Sequence, residues 1–132
     1  MAVVNTVLKK VRQQAVVKLL GSLGGGQANV TSLDIALSDE TLDQPNVKFN
    51  VTGAMWSASD GVPIIVSRNG TITMYLNGND NWSMSQMLGF TDTANNGANI
   101  NVVMPANSLL YLHLTKASGF IEPTPAWQKP TP

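Results

Sequence analysis

Residues 64–76, IIVSRNGTITMYL, contain the local signal that decides the fold. Asn69-Gly70 separates two runs rich in β-branched and aromatic residues, and this pair suits the positive φ angles of a two-residue type I′ turn. We therefore predict an antiparallel hairpin with strands over Ile64–Ser67 and Thr71–Leu76. Apolar and polar side chains alternate in the second strand, so its apolar side chains are expected to face a core: Ile72, Met74 and Leu76.

The same alternation recurs on both sides of this hairpin. Short windows bounded by Gly, Asn, Asp or Pro place apolar side chains at every second position, which is typical of half-buried strands. These sets are Leu33/Ile35/Leu37, Val47/Phe49/Val51, Ile100/Val102/Met104 and Leu110/Leu112/Leu114. With a first strand at residues 14–20, the pattern predicts an all-β domain over residues 13–120, an antiparallel β-sandwich of about seven or eight strands. Alternation alone leaves jelly-roll and immunoglobulin-like strand orders open.

The two ends of the chain depart from this pattern. In the first twenty residues, Val4, Leu8, Val11 and Ala15 follow helical spacing, whereas residues 15–20 have the composition of a strand. We interpret residues 1–12 as an extended N-terminal arm. Residues 121–132 hold four of the seven prolines, so they are predicted to form an extended Pro-rich C-terminal tail that does not pair within a sheet.

Both ends carry candidates for contact with a partner. The basic residues Lys9, Lys10 and Arg12 precede an acidic stretch, so they form either a solvated segment or a docking site for an acidic neighbour. In the tail, Trp127 either folds back on its own domain or docks on a neighbouring subunit, because a lone exposed tryptophan is disfavoured. Trp82 follows a turn and is a further contact candidate.

Length and composition restrict the classes of function. A chain of 132 residues with 43% hydrophobic residues fits one domain with a buried core. The net charge is zero, so no overall field attracts nucleic acid or an anionic membrane. There is no cysteine, which excludes disulfides and thiolate metal sites. The start lacks the order of a signal peptide, and no apolar run reaches the roughly 18 residues of a membrane span.

Candidate catalytic and metal-binding residues are few. His113, the only histidine, lies on the strand face opposite Leu110, Leu112 and Leu114, without the motif of a nucleophile elbow. Zinc needs several His or Cys ligands. The loop at residues 77–81 suggests calcium but has one carboxylate, so a plain turn is favoured. We therefore expect no catalytic residues, metal or cofactor.

A glycoside hydrolase would need two acidic side chains that flank a cleft, and the sequence does not show whether any two do so. The acidic candidates are Asp34, Asp39, Glu40, Asp43 and Asp60.

Five segments resemble small virion structural proteins of tailed phages, especially those of marine cyanophages. They are Gln14–Gly21 (QAVVKLLG), Ala54–Ala58 (AMWSA), Ser67–Thr71 (SRNGT), Tyr75–Trp82 (YLNGNDNW) and Leu110–Phe120 (LYLHLTKASGF). The resemblance is one of overall pattern and order, and it leaves out the arm and the tail. It implies a β-sandwich of the jelly-roll type that decorates or cements a capsid.

Together, the resemblance and the residues lead to one expected function and one alternative. We expect a non-enzymatic decoration protein on the outer capsid surface, made in the host cytoplasm, that bridges subunits of the major capsid protein. It is expected to be a homo-oligomer, a dimer or trimer, with no membrane and no direct nucleic acid contact. The alternative is a carbohydrate-binding or tail-associated adhesion module that uses Trp56 or Trp82.

Overall fold

The computed structural model describes residues 3–22, 25–58, 61–83 and 92–123. These residues form antiparallel strands and one short helix. Among them, no helix is long and apolar enough to cross a membrane. The elements are β1 (Val3–Lys10), β2 (Gln14–Gly21), β3 (Gly26–Val30), α1 (Ser32–Ile35), β4 (Thr41–Leu42), β5 (Lys48–Ser57), β6 (Ile64–Arg68), β7 (Thr71–Leu76), β8 (Asn79–Ser83), β9 (Ile100–Met104), β10 (Ser108–Ser118) and β11 (Phe120–Ile121).

Strand order shows that the sandwich is a jelly roll. One sheet has the order β1-β2-β10-β5-β8 and the other has the order β3-β9-β6-β7, while β4 and β11 form a small separate pair. Strands therefore pair symmetrically around the β6–β7 hairpin: β5 with β8, β3 with β9, and β2 with β10. The chain is one long antiparallel ribbon that folds over itself into two sheets, which is the jelly-roll arrangement.

The tip of this ribbon is the predicted hairpin turn. Asn69 has φ 49° and Gly70 has φ 77°, so both central residues occupy the left-handed region that a type I′ turn requires. Arg68 and Thr71 pair directly across the turn. The hairpin prediction is confirmed. Its turn closes the ribbon at one end.

The core lies between the two sheets and is built from the predicted alternating sets. Leu110, Leu112 and Leu114 of β10 are fully buried, and β9 contributes Ile100, Val102 and Met104 from the opposite sheet. Phe49 is 1% exposed and is among the largest fully buried side chains. The predicted alternation thus holds for β9 and β10. In β5 Phe49 and Val51 are buried as predicted, but Asn50 and Thr52 are buried as well, and in β7 Ile72 is 49% exposed and only Leu76 is deeply buried.

The predicted N-terminal arm is largely a strand. Val3–Lys10 pairs with β2 as the edge strand of the five-stranded sheet, with a β-bulge between Val7 and Lys9. Val4, Leu8 and Val11, which follow helical spacing in the sequence, are 41–52% exposed, so this spacing does not mark a face packed against the core. Besides the eight strands of the jelly roll, the described residues contain β1 and the two-residue strands β4 and β11.

The predicted strand at Leu33, Ile35 and Leu37 is also wrong. Ser32–Ile35 forms a helical turn, because Thr31 and Asp34 make a capping box in which each side chain accepts a hydrogen bond from the other residue's backbone N–H. Ile35 is buried, but Leu33 is 73% exposed. In the predicted tail, Ile121 pairs with Thr41, while residues 124–132, including Trp127, lie outside the described residues.

Candidate interaction surface

The strands run between two ends of the sandwich that differ in chemistry. At one end of the sandwich, β2 leads into β3, β5 into β6, β7 into β8 and β9 into β10. We call it the groove end, after the groove described below. At the opposite end, β1 leads into β2, β3 into β5, β6 into β7 and β8 into β9. We call it the Arg68 end. Antiparallel pairing of every strand places these two sets of connections at opposite ends.

Apolar side chains cross the outer face of the five-stranded sheet near the groove end. The register places Val4 beside Leu20, Leu20 beside Leu109, and Tyr111 beside Met55. Val4, Leu20 and Met55 are 49%, 41% and 51% exposed, and the other two side chains are half-buried. We call these five residues the outer stripe. Exposed apolar side chains that adjoin one another across several strands are typical of contact surfaces.

A second apolar row lies on the outer face of the other sheet, near the same end. Val103 pairs with Ile65, and Ile65 pairs with Tyr75. Val103 is 41% and Tyr75 is 59% exposed. Near the groove end the sandwich therefore presents apolar side chains on two opposite faces.

An open groove lies beside the outer stripe, between β5, β8 and β10. Its volume is about 470 Å³, within the usual range for small-ligand sites. Its lining combines aromatic and aliphatic side chains with amides and a carboxylate: Met55, Trp56, Ser57, Asn79, Asp80, Asn81, Leu109 and Tyr111. Such a lining can stack against a flat apolar surface and form hydrogen bonds with hydroxyl groups.

Trp56 lies at the margin of the core and lines this groove. Its indole Nε1 donates a 2.9 Å hydrogen bond to the Asn77 carbonyl, which fixes the turn before β8. At residues 77–81, the Asn77 carbonyl accepts this bond and Asp80 Oδ1 accepts from the Asn81 N–H at 2.8 Å, which are contacts typical of the plain turn that the sequence favours. Trp82 pairs with Ala54 through the backbone of β8, and its side chain lies outside the described part of the chain.

His113 belongs to a polar ladder on the outer face of the five-stranded sheet. Its Nδ1 lies 2.7 Å from Thr52 Oγ1, and its Nε2 lies 2.9 Å from Gln14 Oε1. If Nε2 carries the proton, it donates to Gln14, and Thr52 donates to Nδ1. Thr52 is 8% exposed and its hydroxyl also lies within 3.2 Å of the His113 carbonyl and of Thr115 Oγ1. These contacts favour a structural ladder, because a nucleophilic hydroxyl needs an open approach.

The described acidic residues of the 34–43 stretch all have structural partners. Asp34 caps α1, Asp43 accepts a hydrogen bond from Asn46, and Glu40 Oε1 lies 2.8 Å from Lys116 Nζ. Arg12 binds Asp39 through two hydrogen bonds of 2.8 and 2.6 Å, and lies 3.2 Å from Glu122. These contacts give the described carboxylates structural roles, and Asp60 lies outside the described residues.

The basic contact candidates occupy different environments. Arg12 faces Asp39 of its own chain, and its hydrogen bonds hold the pKa of that carboxyl below its usual range. Lys9 and Lys10 are exposed at the end of β1. Contact of Lys9, Lys10 or Arg12 with another protein stays a prediction. Among the described residues, no three His, Asp or Glu side chains come together in a metal-binding group.

Arg68 is a buried cation that the sequence did not reveal. It is 3% exposed, and its guanidinium donates to the Phe49 carbonyl at 2.6 Å, the Ala98 carbonyl at 2.6 and 3.1 Å, and the Asn96 carbonyl at 3.0 Å. Burial lowers its pKa to about 10, so the side chain stays charged at neutral pH. Arg68 therefore fastens residues 96–98 to the sheet.

The sequence also missed the outer stripe, although a signal for it was present. Leu109 and Tyr111 alternate with the buried leucines of β10, and Leu20 follows the buried Leu19. A strand that is apolar on both faces of a sheet signals either full burial or a contact surface.

Comparisons with known proteins give the chain no family. No family model matches it. No curated protein matches it either. Among solved structures, the chain is similar to a cupin domain from Bordetella pertussis, with 10% sequence identity over 89% of this chain and 95% of that chain and a TM-score of 0.42.

Proposed function

We propose that the chain is a non-enzymatic structural protein of a virion, which decorates the outer capsid surface as a homo-oligomer and bridges neighbouring subunits of the major capsid protein. The resemblance to small virion proteins of tailed phages supports this function. The observation that carries it is the pair of apolar rows on opposite outer faces near the groove end: the outer stripe, and Val103 with Ile65 and Tyr75.

Two opposite contact faces are what a bridging protein needs. A protein that binds only one subunit requires a single contact surface, whereas a cement protein must bury apolar surface against two neighbouring subunits at once. Burial of apolar surface contributes roughly 25 cal/mol per Å². Few charged residues, 12% of the chain, further favour contact surfaces from which charge is depleted.

The test adds purified chain to virions from which it has been stripped. The wild-type chain is expected to restore resistance to heat and osmotic shock. Leu20→Asp on one face and Val103→Asp on the other should each abolish this protection, because a bridge fails when either contact is lost. The matched control is Leu33→Asp, since Leu33 is 73% exposed on α1 at the Arg68 end. Full protection by both face variants would contradict the bridging role.

A second candidate function rests on the groove. The aromatic rings of Trp56 and Tyr111 together with Asn79, Asp80 and Asn81 form a lining suited to the alternating apolar and hydroxyl surfaces of a saccharide. On this alternative the protein is an adhesion module that binds glycans of a host. It differs from the first function in its prediction for stripped virions, which would keep their stability and lose attachment.

A glycan array separates the two candidates. Specific binding that Asn79→Ala or Asn81→Ala removes, while both variants still restore heat resistance to virions, would add the adhesion function. Both side chains are partly or fully exposed, so these variants are expected to fold. If no glycan on the array binds, the adhesion alternative loses its support.

A further inference from the structure

β1 ends the five-stranded sheet, and in the described part of the chain no strand lies beside one side of its backbone. Among the described residues, β1 pairs only with β2, and no backbone hydrogen bond joins it to another strand. Its nearest neighbour across the sandwich is β3, reached through a side-chain hydrogen bond from Asn5 Nδ2 to the Asn29 carbonyl at 3.2 Å. The outer edge of β1 therefore presents free N–H and C=O groups to any added strand.

The side chains of this edge are apolar where natural edges are usually protected. Val4 and Leu8 are 49% and 52% exposed on the outer face, with Thr6 exposed between them. Lysines, which commonly block edge pairing, occur only at its far end, at Lys9 and Lys10. Residues 4–8 are thus an open and partly apolar pairing edge.

We propose that this edge binds a second copy of the same chain, so that two β1 strands pair antiparallel about a two-fold axis at Thr6. In this register Val4 of each copy lies opposite Leu8 of the other, and the two Thr6 side chains lie opposite each other. Cross-strand pairs of this kind stabilise antiparallel sheets. The two five-stranded sheets join into one continuous sheet, and the outer stripe of each copy continues across the axis.

The occupant is a second copy because the edge is complementary to itself. The two-fold brings both exposed apolar residues of β1 onto each other, and it keeps the lysine pairs of the two copies at opposite ends of the paired segment. A two-fold moved toward Lys9 would bring like charges together, which disfavours pairing. The β-bulge after Val7 limits the paired segment to about five residues, because it shifts the alternation from Lys9 onward.

Single cysteines test both the dimer and its register, because the chain contains no cysteine of its own. Directly opposed residues have Cα atoms about 4.5–5.5 Å apart, within the range of a disulfide. Thr6→Cys should therefore form a disulfide-linked dimer under mild oxidation. In Val4→Cys the two cysteines lie four residues out of register, about 14 Å apart, so little or no dimer is expected.

Thr6→Lys supplies a second measurement by sedimentation. Two lysines facing each other at the axis should lower the dimer fraction of the cysteine-free chain several-fold, with an unchanged circular dichroism spectrum. No disulfide dimer from Thr6→Cys, equal dimer from both cysteine variants, or an unchanged dimer fraction in Thr6→Lys would overturn the pairing. In that case another surface, or another protein's strand on this edge, would account for any assembly.

The dimer gives the homo-oligomer of the proposed function a defined interface, and in this respect the inference rests on the proposed function. The two fail separately, because cross-linking uses the purified chain, whereas the virion test measures protection against heat. A chain that protects virions but does not cross-link through Thr6 retains the proposed function without this dimer. A chain that cross-links but does not protect virions retains the dimer alone.

Discussion

The two ends of the sandwich use the same kinds of residue in opposite ways. At the Arg68 end, two cations are buried and satisfied: Arg68 by three backbone carbonyls, and Lys116 by Glu40 at 2.8 Å and by the Phe120 ring at 5.1 Å. At the groove end, apolar side chains such as Met55 and Tyr75 remain more than half exposed. The Arg68 end buries two cations, whereas the groove end carries apolar side chains that adjoin one another across several strands.

This difference separates stability from binding. The two longest connections between sheet strands, from β3 to β5 and from β8 to β9, lie at the Arg68 end, so its buried polar contacts hold loops that have few strand hydrogen bonds of their own. Short turns close the groove end, where backbone pairing already fixes the structure and the outer side chains are free to contact a partner. Substitutions at the Arg68 end should therefore change the free energy of unfolding, and those at the groove end should change binding.

The largest effect is expected at the ion pair of Lys116 and Glu40, whose side chains are 2% and 1% exposed. Lys116→Met leaves a buried carboxylate without its main partner and should cost about 3–5 kcal/mol of unfolding free energy. The double variant Lys116→Met/Glu40→Gln should be more stable than Lys116→Met alone. Urea unfolding of these two variants and of Glu40→Gln measures the coupling. Simple addition of the two single effects in the double variant would show that the charges are not coupled.

Arg68→Met should have the next largest effect. It leaves the buried carbonyls of Phe49 and Ala98 without their donor, at a cost of about 1–3 kcal/mol for an unsatisfied buried group. Arg68→Lys keeps the charge but not the planar fork of donors, so we expect an intermediate loss. Chemical denaturation compares the three chains, and a fully stable Arg68→Lys would indicate that charge alone fastens the 96–98 segment.

The ribbon tip should tolerate substitution less well than an exposed turn suggests. Asn69→Ala places a Cβ-bearing residue without a polar side chain at φ 49° and should cost about 1–2 kcal/mol. Asn69→Gly is the control, since glycine adopts this angle without strain. Thermal unfolding of the two variants should differ in this direction, and equal midpoints would argue against strain at the turn.

Substitutions in the outer stripe should leave stability nearly unchanged. Met55→Ser removes a side chain that is 51% exposed, so we expect a change within about 0.5 kcal/mol. The same variant should reduce protection of stripped virions. A large loss of unfolding free energy would mean that Met55 supports the core, which would weaken the separation of the two ends.

The smallest effect is expected from the exposed pair of Arg12 and Asp39. Because Arg12 lowers the pKa of Asp39 in the folded state, the pair stabilises the fold above the usual aspartate pKa and loses this contribution as pH falls through the lowered value. The thermal midpoints of wild type and Asp39→Asn should therefore converge on acidification below about pH 4. High salt at neutral pH should also bring them together.

The sequence by itself determined the fold class, the hairpin at Asn69-Gly70 and most of the core. These follow from local chemistry: positive φ angles select Asn and Gly, and a period of two selects one buried face. It failed at residues 1–12, where an extended arm was predicted and most of the segment pairs as the edge strand β1. It also failed at residues 33–37, where a period of two predicted a strand and a capping box forms a helical turn.

Tertiary structure alone decided which strands are neighbours, and with them the jelly-roll order, the outer stripe and the groove. Leu20 and Leu109 are 89 positions apart in the chain, and no local pattern reports that they adjoin. Arg68 reads as an ordinary strand residue, yet it is buried because the carbonyls of two distant segments, Phe49 and 96–98, surround it. Such contacts depend on how the ribbon folds over itself, and that is settled by packing of the whole domain rather than by the preferences of any short segment.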